Sequence, residues 1–481
     1  MPCEPLDTPS RDLPGTAPPG SGSVPELALR RVPIPALALV LALAFVGCGG
    51  PGAGPPNVLL VSIDTLRQDH VSAYGYGRET TPALDRLADD GVVFLDARST
   101  SSWTLPAHAS VMTGRYPFEI GVETSEDALG PDVPVLAERF AGAGFATAGF
   151  ASHVFLDASY GFDRGFGTYE VVPDRRAGDL TDRALAWLAR ERRPFFLFLH
   201  YFDPHWNYDP PDGYAERFTA GPIDRSWGRL GKLLPFVGPD RQIPADGIEQ
   251  LRALYDGEIR YADDQLGRLI EGLRSRGELE RTVVAVFSDH GEELEEHGYF
   301  GHGGTLYGEA VRVPLILHGP GRLPAGRRVT GAVSLRGVPE ALLTLAGLEA
   351  PPEMLERPGL LAALEGRLPA EVFASTSRLG PRRAGIVAGH LKLVTPGTFT
   401  VSYPKEGGGT AGERTVSVPG GLFDLDRDPG EHAPLPAEHQ AAAGLRRLLD
   451  RRLAGAGSIE APGVDLSPEE EEALRALGYL D

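Results

Sequence analysis

Three apolar runs of strand length limit what this chain can become. Residues 57–63 (NVLLVSI), 194–200 (PFFLFLH) and 282–288 (TVVAVFS) are apolar at nearly every position. A strand of this kind must be buried on both faces, which is the pattern of parallel strands lying under helices. Residues 146–151 and 313–318 read as further strands. Helix-period segments lie between them, over 81–91, 134–141, 180–190 and 248–276. The alternation predicts a doubly wound α/β domain. After about residue 351 the segments shorten, with short elements at 371–375, 385–394 and 421–425, an exposed loop at 407–409 (GGG) and a closing helix over 468–480. The expectation is a main domain over 57–350 and a smaller α+β domain over 351–481.

The N-terminal region has a different logic. Arg30 and Arg31 precede an apolar run, residues 32–46, which ends at Gly47-Cys48. The run is short for a membrane span and fits the core of a signal peptide. Residues 45–48 (FVGC) resemble a bacterial lipoprotein cleavage box, with Phe45 where Leu is usual. Cleavage there would make Cys48 the lipidated first residue and residues 49–56 a flexible linker. An uncleaved membrane anchor is the alternative. Both readings predict an exported protein, periplasmic or at the cell surface, in membrane contact through its N-terminal anchor. Cys3 and Cys48 are the only cysteines, so no disulfide framework and no thiolate metal site is expected. The formal net charge of −20 argues against a nucleic-acid partner. It leaves an anionic substrate open, because a bound metal ion can reverse the local field.

In a parallel α/β sheet, ligands gather at the C-terminal ends of the strands. Here those ends carry acids and imidazoles. Asp64 follows the first run, Asp203 and His205 follow the second, and Asp289 and His290 follow the third. Oxygen and imidazole donors without thiolate suit Ca, Mn or Mg, with Zn as an alternative. Between the first two runs, residues 101–110 (SSWTLPAHAS) place Pro106 in the first turn of a helix running toward Thr113. Thr104 then stands at the helix N-terminus, where N–H groups favour an anion. Taken alone, the segment reads most simply as a helix capped by Thr104. Beside a divalent ion, the same hydroxyl could serve as a nucleophile.

These stretches resemble the sulfatase family, within the alkaline-phosphatase-like superfamily. The matching segments are 57–74 (NVLLVSIDTLRQDHVSAY), 104–115 (TLPAHASVMTGR), 200–205 (HYFDPH), 255–266 (YDGEIRYADDQL), 287–291 (FSDHG) and 301–314 (GHGGTLYGEAVRVP). Residues 421–431 (GLFDLDRDPGE) are similar to the family's C-terminal strand motif. The resemblance implies an alkaline-phosphatase-like, mostly parallel sheet flanked by helices. It also implies a hydrolase of sulfuric or phosphoric esters. By position, Asp64, Asp289 and His290 become metal ligands, with Thr104 completing the shell. His205 and His302 become groups that touch the ester oxygens or protonate the leaving group. His153 matches a substrate-side histidine, or is an ordinary loop residue. Asp203 would orient His205 or help bind a second ion, and Arg115 would support the nucleophile's helix on the substrate side.

Three positions depart from the pattern. Family members with formylglycine carry Cys or Ser at the nucleophile position, and threonine cannot give that aldehyde because its Cβ bears a methyl group. His108 stands where an arginine normally steadies the modified residue, and is carried as a catalytic candidate. Thr65 replaces the usual second Asp. The chain has only three lysines, Lys232, Lys392 and Lys405, and none lies in a motif. These changes point toward an unmodified threonine forming a covalent adduct. The substrate expected is an anionic ester on a sulfated or phosphorylated glycan or a lipid headgroup. The alternatives are a phosphodiesterase or phospho-group transferase acting on lipid or glycan headgroups, and a non-catalytic, glycan-binding surface lipoprotein.

Overall fold

The computed structural model describes residues 54–173, 175–236, 242–404, 410–455 and 459–476. The expected signal segment, with Cys48, lies outside them, as do the Gly-rich loop at 407–409 and the last residues of the closing helix. Among the described residues no helix is long and apolar enough to cross a membrane.

A nine-stranded sheet organises the fold. In chain order its strands are β1 (Asn57–Ile63), β2 (Val92–Arg98), β3 (Ala146–Ala151), β4 (Thr168–Val171), β5 (Phe195–Tyr201), β6 (Thr282–Phe287), β7 (Arg312–Val313), β8 (Leu315–His318) and β9 (Arg327–Ser334). Their spatial order is β9-β2-β8-β6-β1-β5-β3-β4, with β7 paired to β2. The three apolar runs take the centre as β1, β5 and β6, all parallel and buried along their whole length. The segment at 313–318 departs from expectation. It breaks at Pro314 into β7 and β8, and β8 runs antiparallel to both β6 and β2. Proline gives no ladder N–H, so the strand cannot continue through it.

Register at the centre decides where chemistry can gather. Ser62 of β1 sits level with His200 of β5 and with Phe287 of β6. The three strands therefore end side by side, with neighbours roughly 4.8 Å apart. Side chains alternate between the two faces. Leu59, Val61 and Ile63 join one core layer with Leu197 and Leu199, whereas Val58 and Leu60 join the other with Phe196, Phe198 and Phe287. Helix α1 (Pro82–Asp89) packs on the first layer. Helix α2 (Thr104–Thr113), buried at all ten positions, packs in the second.

Helices α3 (Leu136–Gly142), α4 (Ala177–Leu188) and α5 (Ala245–Ser275) match the remaining helix-period segments to within a few residues. The expected segment at 385–394 is not one element but a hairpin, β10 (Arg383–Ala388) with β11 (Leu391–Val394). It forms the middle of a four-stranded antiparallel sheet bounded by Val372–Thr376 and Gly421–Asp424.

The long helix α5 also ends another helix correctly. Thr81 occupies the N-cap of α1, but its side chain makes no capping bond there. Asp263 of α5 takes over, its two oxygens accepting from the N–H groups of Ala83 and Leu84 at 2.7 and 2.8 Å. Burial pushes this carboxyl up to about 7. Asp263→Ala should leave both N–H groups buried without acceptors and destabilise the protein by about 1–3 kcal/mol. Asp263→Asn, which keeps one accepting oxygen, should cost less. Urea titrations of both variants check this; a wild-type midpoint for Asp263→Ala would remove the capping role.

Candidate active site

The aligned strand ends bring together most of the residues picked out by sequence. Asp64 directly follows β1, and Asp289 and His290 follow β6. Donor atoms of Asp64, Asp289 and His290 lie within 4.8 Å of one another, and all three residues are buried. His290 Nε2 is 3.5 Å from Asp64 Oδ1 and 3.4 Å from Asp289 Oδ2. Local backbone makes this approach possible. Thr65 adopts a left-handed φ of 54°, uncommon for a non-glycine residue. Its turn is clamped by Tyr255 of α5, which donates to the Thr65 carbonyl at 2.6 Å and accepts from the Arg67 N–H at 3.0 Å. Gly291 has no substitute, because a Cβ there would lie 1.9 Å from the Glu309 carbonyl oxygen.

Thr104 is not a cap. It is the first residue of α2, and Trp103, the N-cap, offers no side-chain acceptor. Thr104 Oγ1 instead faces His290 Nε2 at 3.3 Å. His108, one turn along, bonds backward through Nδ1 to the Thr104 carbonyl at 2.9 Å and through Nε2 to Ser62 Oγ at 3.0 Å. Its Nδ1 also lies 3.4 Å from Asp289 Oδ2.

Six of the twelve histidines of the chain converge here: His108, His153, His200, His205, His290 and His302. The His205 and His302 rings are 4.9 Å apart, and those of His290 and His302 4.5 Å. His153 accepts the Phe155 N–H on Nδ1, and its ring stands 5.8 Å from that of His205. Its nitrogen, with Asp64 and His205, forms a second group of possible metal donors.

Two residues of the expected set make contacts other than those expected. Asp203 does not orient His205. One of its oxygens accepts the Ala177 N–H at the start of α4 at 2.7 Å, and its carboxyl bonds to that of Glu258. His205 Nδ1 bonds to the Trp206 carbonyl instead, at 2.6 Å. Committed to α4 and Glu258, Asp203 is not placed as a ligand for a second ion. Arg115 lies beyond the C-terminal end of α2, whose ten residues span about 15 Å at 1.5 Å per residue. Its carbonyl accepts from Ser110 Oγ, an interaction at the far end of the helix.

Two other residues belong to the site and carried no role in the sequence reading. His200 of β5 places Nε2 3.2 Å from Asp64 Oδ2, and forms a third donor group with His108 and Asp289. Glu292 holds His302, accepting from Nδ1 at 2.9 Å, while its other oxygen accepts from Tyr208 at 2.9 Å. Strand alternation could have found His200. It falls on the face that carries Phe196 and Phe198, where α2 lies.

The electrostatics of the site are those of a cation's cradle. All four carboxylate oxygens of Asp64 and Asp289 are buried without a well-formed hydrogen bond, as are both nitrogens of His200. Buried groups of this kind are normally paired or bound to metal. Burial pushes both carboxyls well above the usual range, helped by Glu292 for Asp64 and by Asp64 for Asp289. Burial also holds His108, His153, His205, His290 and His302 well below the ordinary imidazole value, and His200 down to about 3. Neutral imidazoles beside carboxylates are the donors a divalent ion requires, so the residues present fit one.

The sulfatase family profile matches residues 56–348. The chain belongs to the sulfatase family. An uncharacterised sulfatase of Escherichia coli K12 is 27% identical over 363 residues, covering 65% of this chain and 72% of the relative. The N-acetylgalactosamine-6-sulfatase of Sus scrofa is 26% identical over 486 residues, covering 82% and 85%. Among solved structures, the phosphonate monoester hydrolase of Agrobacterium radiobacter superposes with a TM-score of 0.63 at 22% identity, over 83% of this chain and 95% of that one. This sulfatase thus has the alkaline-phosphatase-like fold and is an ester-bond hydrolase of a metal-dependent family.

Removing divalent ions should uncover two adjacent buried carboxylates. Dialysis against a chelator should lower the melting temperature by several degrees. Added Mn, Ca, Mg or Zn should restore it, by roughly 2.7 kcal/mol at a hundredfold excess over Kd. An identical melt for metal-free and metal-loaded protein would argue against the cradle.

Proposed function

We propose that this sulfatase cleaves sulfuric or phosphoric esters with the unmodified hydroxyl of Thr104 as attacking atom. The observation that carries the reading is the Thr104 side chain itself. It leaves the helix uncapped and turns to His290, against the unpartnered oxygens of Asp64 and Asp289. A divalent ion held by Asp64, Asp289 and His290 would acidify a neighbouring hydroxyl and neutralise anionic oxygens.

The chain's own residues supply the rest. The first-turn N–H groups of α2 face the incoming anion, with no side-chain cap from Trp103 competing for them. Thr104 Oγ1 forms the new bond to phosphorus or sulfur as the bond to the leaving oxygen breaks. The histidines rest neutral, so the proton that reaches the leaving oxygen is the one Thr104 gives up. His205 and His302 would pass it on: the His302 ring, oriented by Glu292, stands 4.5 Å from that of His290, which Thr104 faces. Water then cleaves the threonine ester. A phosphoric ester suits this chemistry because a phospho-threonine intermediate needs no aldehyde. The sulfated-sugar activity named for the Sus scrofa relative supports an anionic, sulfated glycan as the other substrate class.

We also propose export, with Cys48 as the lipidated residue, on the pattern of Arg30, Arg31 and the apolar run before Gly47. Cys48→Ala should then move the protein from the membrane fraction to the soluble one.

Thr104→Ala should lower turnover by on the order of 10³-fold or more. Assays with 4-nitrophenyl sulfate, 4-nitrophenyl phosphate and bis(4-nitrophenyl) phosphate identify the ester class. Mass spectrometry of quenched enzyme should find the adduct on Thr104. Full activity in Thr104→Ala would overturn the nucleophile.

A further inference from the structure

A cavity of about 280 Å³ opens beside the histidine cluster, on the side of His205. It lies just below the usual range of small-molecule sites, about 300–1,000 Å³. His205 belongs to its lining as well as to the cluster, so the cavity and the reacting centre share a wall. Trp206 lines it too, with its ring 5.2 Å from that of His302.

Three guanidinium groups edge the cavity: Arg175, Arg176 and Arg229. The chain as a whole carries −20, so a local run of arginine against a catalytic cleft is contrary to the general balance. Three carboxyls share the lining, Asp203, Asp209 and Glu258, and Asp203 and Glu258 both feel the charge of Arg176. Asp209 divides its carboxylate between Arg225 at 2.9 Å and Arg229 at 3.2 Å. Arg175 stands 3.8 Å from Asp179, with both side chains more than half exposed. Arg176 donates to the Asp209 carbonyl at 2.7 Å and has no carboxylate within 4.0 Å among the described residues. The remaining acids, Asp203 and Glu258, are bonded to each other in the cavity wall. Arginine presents a planar fork that matches carboxylate, sulfate and phosphate oxygens.

We infer that this cavity receives the alcohol part of the substrate, and that Arg176 and Arg229 bind a second anionic group carried there. The substrate is then an ester of an alcohol that itself bears a sulfate, phosphate or carboxylate. The inference rests on the reading of the histidine cluster as an ester hydrolase. It assigns to Arg176 and Arg229 the selection of polyanionic over singly charged substrates.

The test compares two aryl esters of the accepted acid, a 4-nitrophenyl ester and its analogue with a carboxylate on the same ring. Their kcat/KM ratio is measured for wild type, Arg176→Ala, Arg176→Lys and Arg229→Ala. The ratio in favour of the doubly charged ester should fall about tenfold in Arg176→Ala. The change should appear mainly in KM, and Arg176→Lys should recover part of it. A ratio within twofold of wild type in both alanine variants overturns the subsite. If neither ester is turned over, the hydrolase reading fails separately. Calorimetry with glucosamine 2-N,6-O-disulfate then decides the subsite, and equal affinity in wild type and Arg176→Ala overturns it. Should Arg176→Ala not fold, Arg176→Lys and Arg229→Ala carry the same comparison.

Discussion

Two carboxylates at the ends of neighbouring strands, buried and without a well-formed hydrogen bond, are the constraint on which the rest of the site depends. Asp64 and Asp289 stand side by side because β1 and β6 are parallel and end in register. Their oxygens make no well-formed hydrogen bond, although the His200 and His290 rings stand 3.2 and 3.5 Å from Asp64 and the Thr65 and His290 amides lie close by. Leaving them charged in a dry interior is costly unless a cation binds. The histidines are held neutral by the same burial, and the guanidinium that stands against the cluster, Arg378, donates to the His302 carbonyl at 3.4 Å and not to either carboxylate. The architecture therefore concentrates the demand for a cation at one point.

The fold around this point was largely legible, for a simple physical reason. Strands buried on both faces must be apolar throughout, and β1, β5 and β6 read that way without ambiguity. The position of Asp64 and Asp289 just after such runs was enough to place them together. The antiparallel course of β8 was not legible. A short apolar segment has no directional mark, and pairing with β6 and β2 is settled by the chain around it. The segment at 385–394 failed similarly, because two short strands and a tight turn share the composition of one longer strand.

Within the site, what could be read was proximity to a strand end, and what could not was side-chain direction. Asp203 and His205 lie two residues apart after β5, and nothing in the sequence says which turns inward. The structure sends His205 into the cluster and Asp203 to the start of α4, where its oxygen meets the Ala177 N–H. Glu292 was hidden for the same reason. Two residues beyond His290, it is an ordinary acid until Tyr208 and His302 fold onto its two oxygens. Arg115 was drawn toward the site by resemblance, yet a helix separates it from Thr104.

The three departures from the family pattern fit one another. His108 grips the main-chain carbonyl of Thr104 and the hydroxyl of Ser62, so it fixes the backbone of the helix start and leaves Thr104 Oγ1 toward His290. An arginine in its place would bring a permanent charge into a pocket between Phe198 and Phe287, where a neutral ring packs at 6.1 Å from each. Thr65 in turn brings no third carboxylate to a cradle already holding two. The centre thus has less negative charge to bind an ion, less positive charge to steady an aldehyde hydrate, and a secondary hydroxyl at the helix start. Each of these changes is compatible with the proposed attack by a simple alcohol, and together they support the reading in which Thr104 acts unmodified.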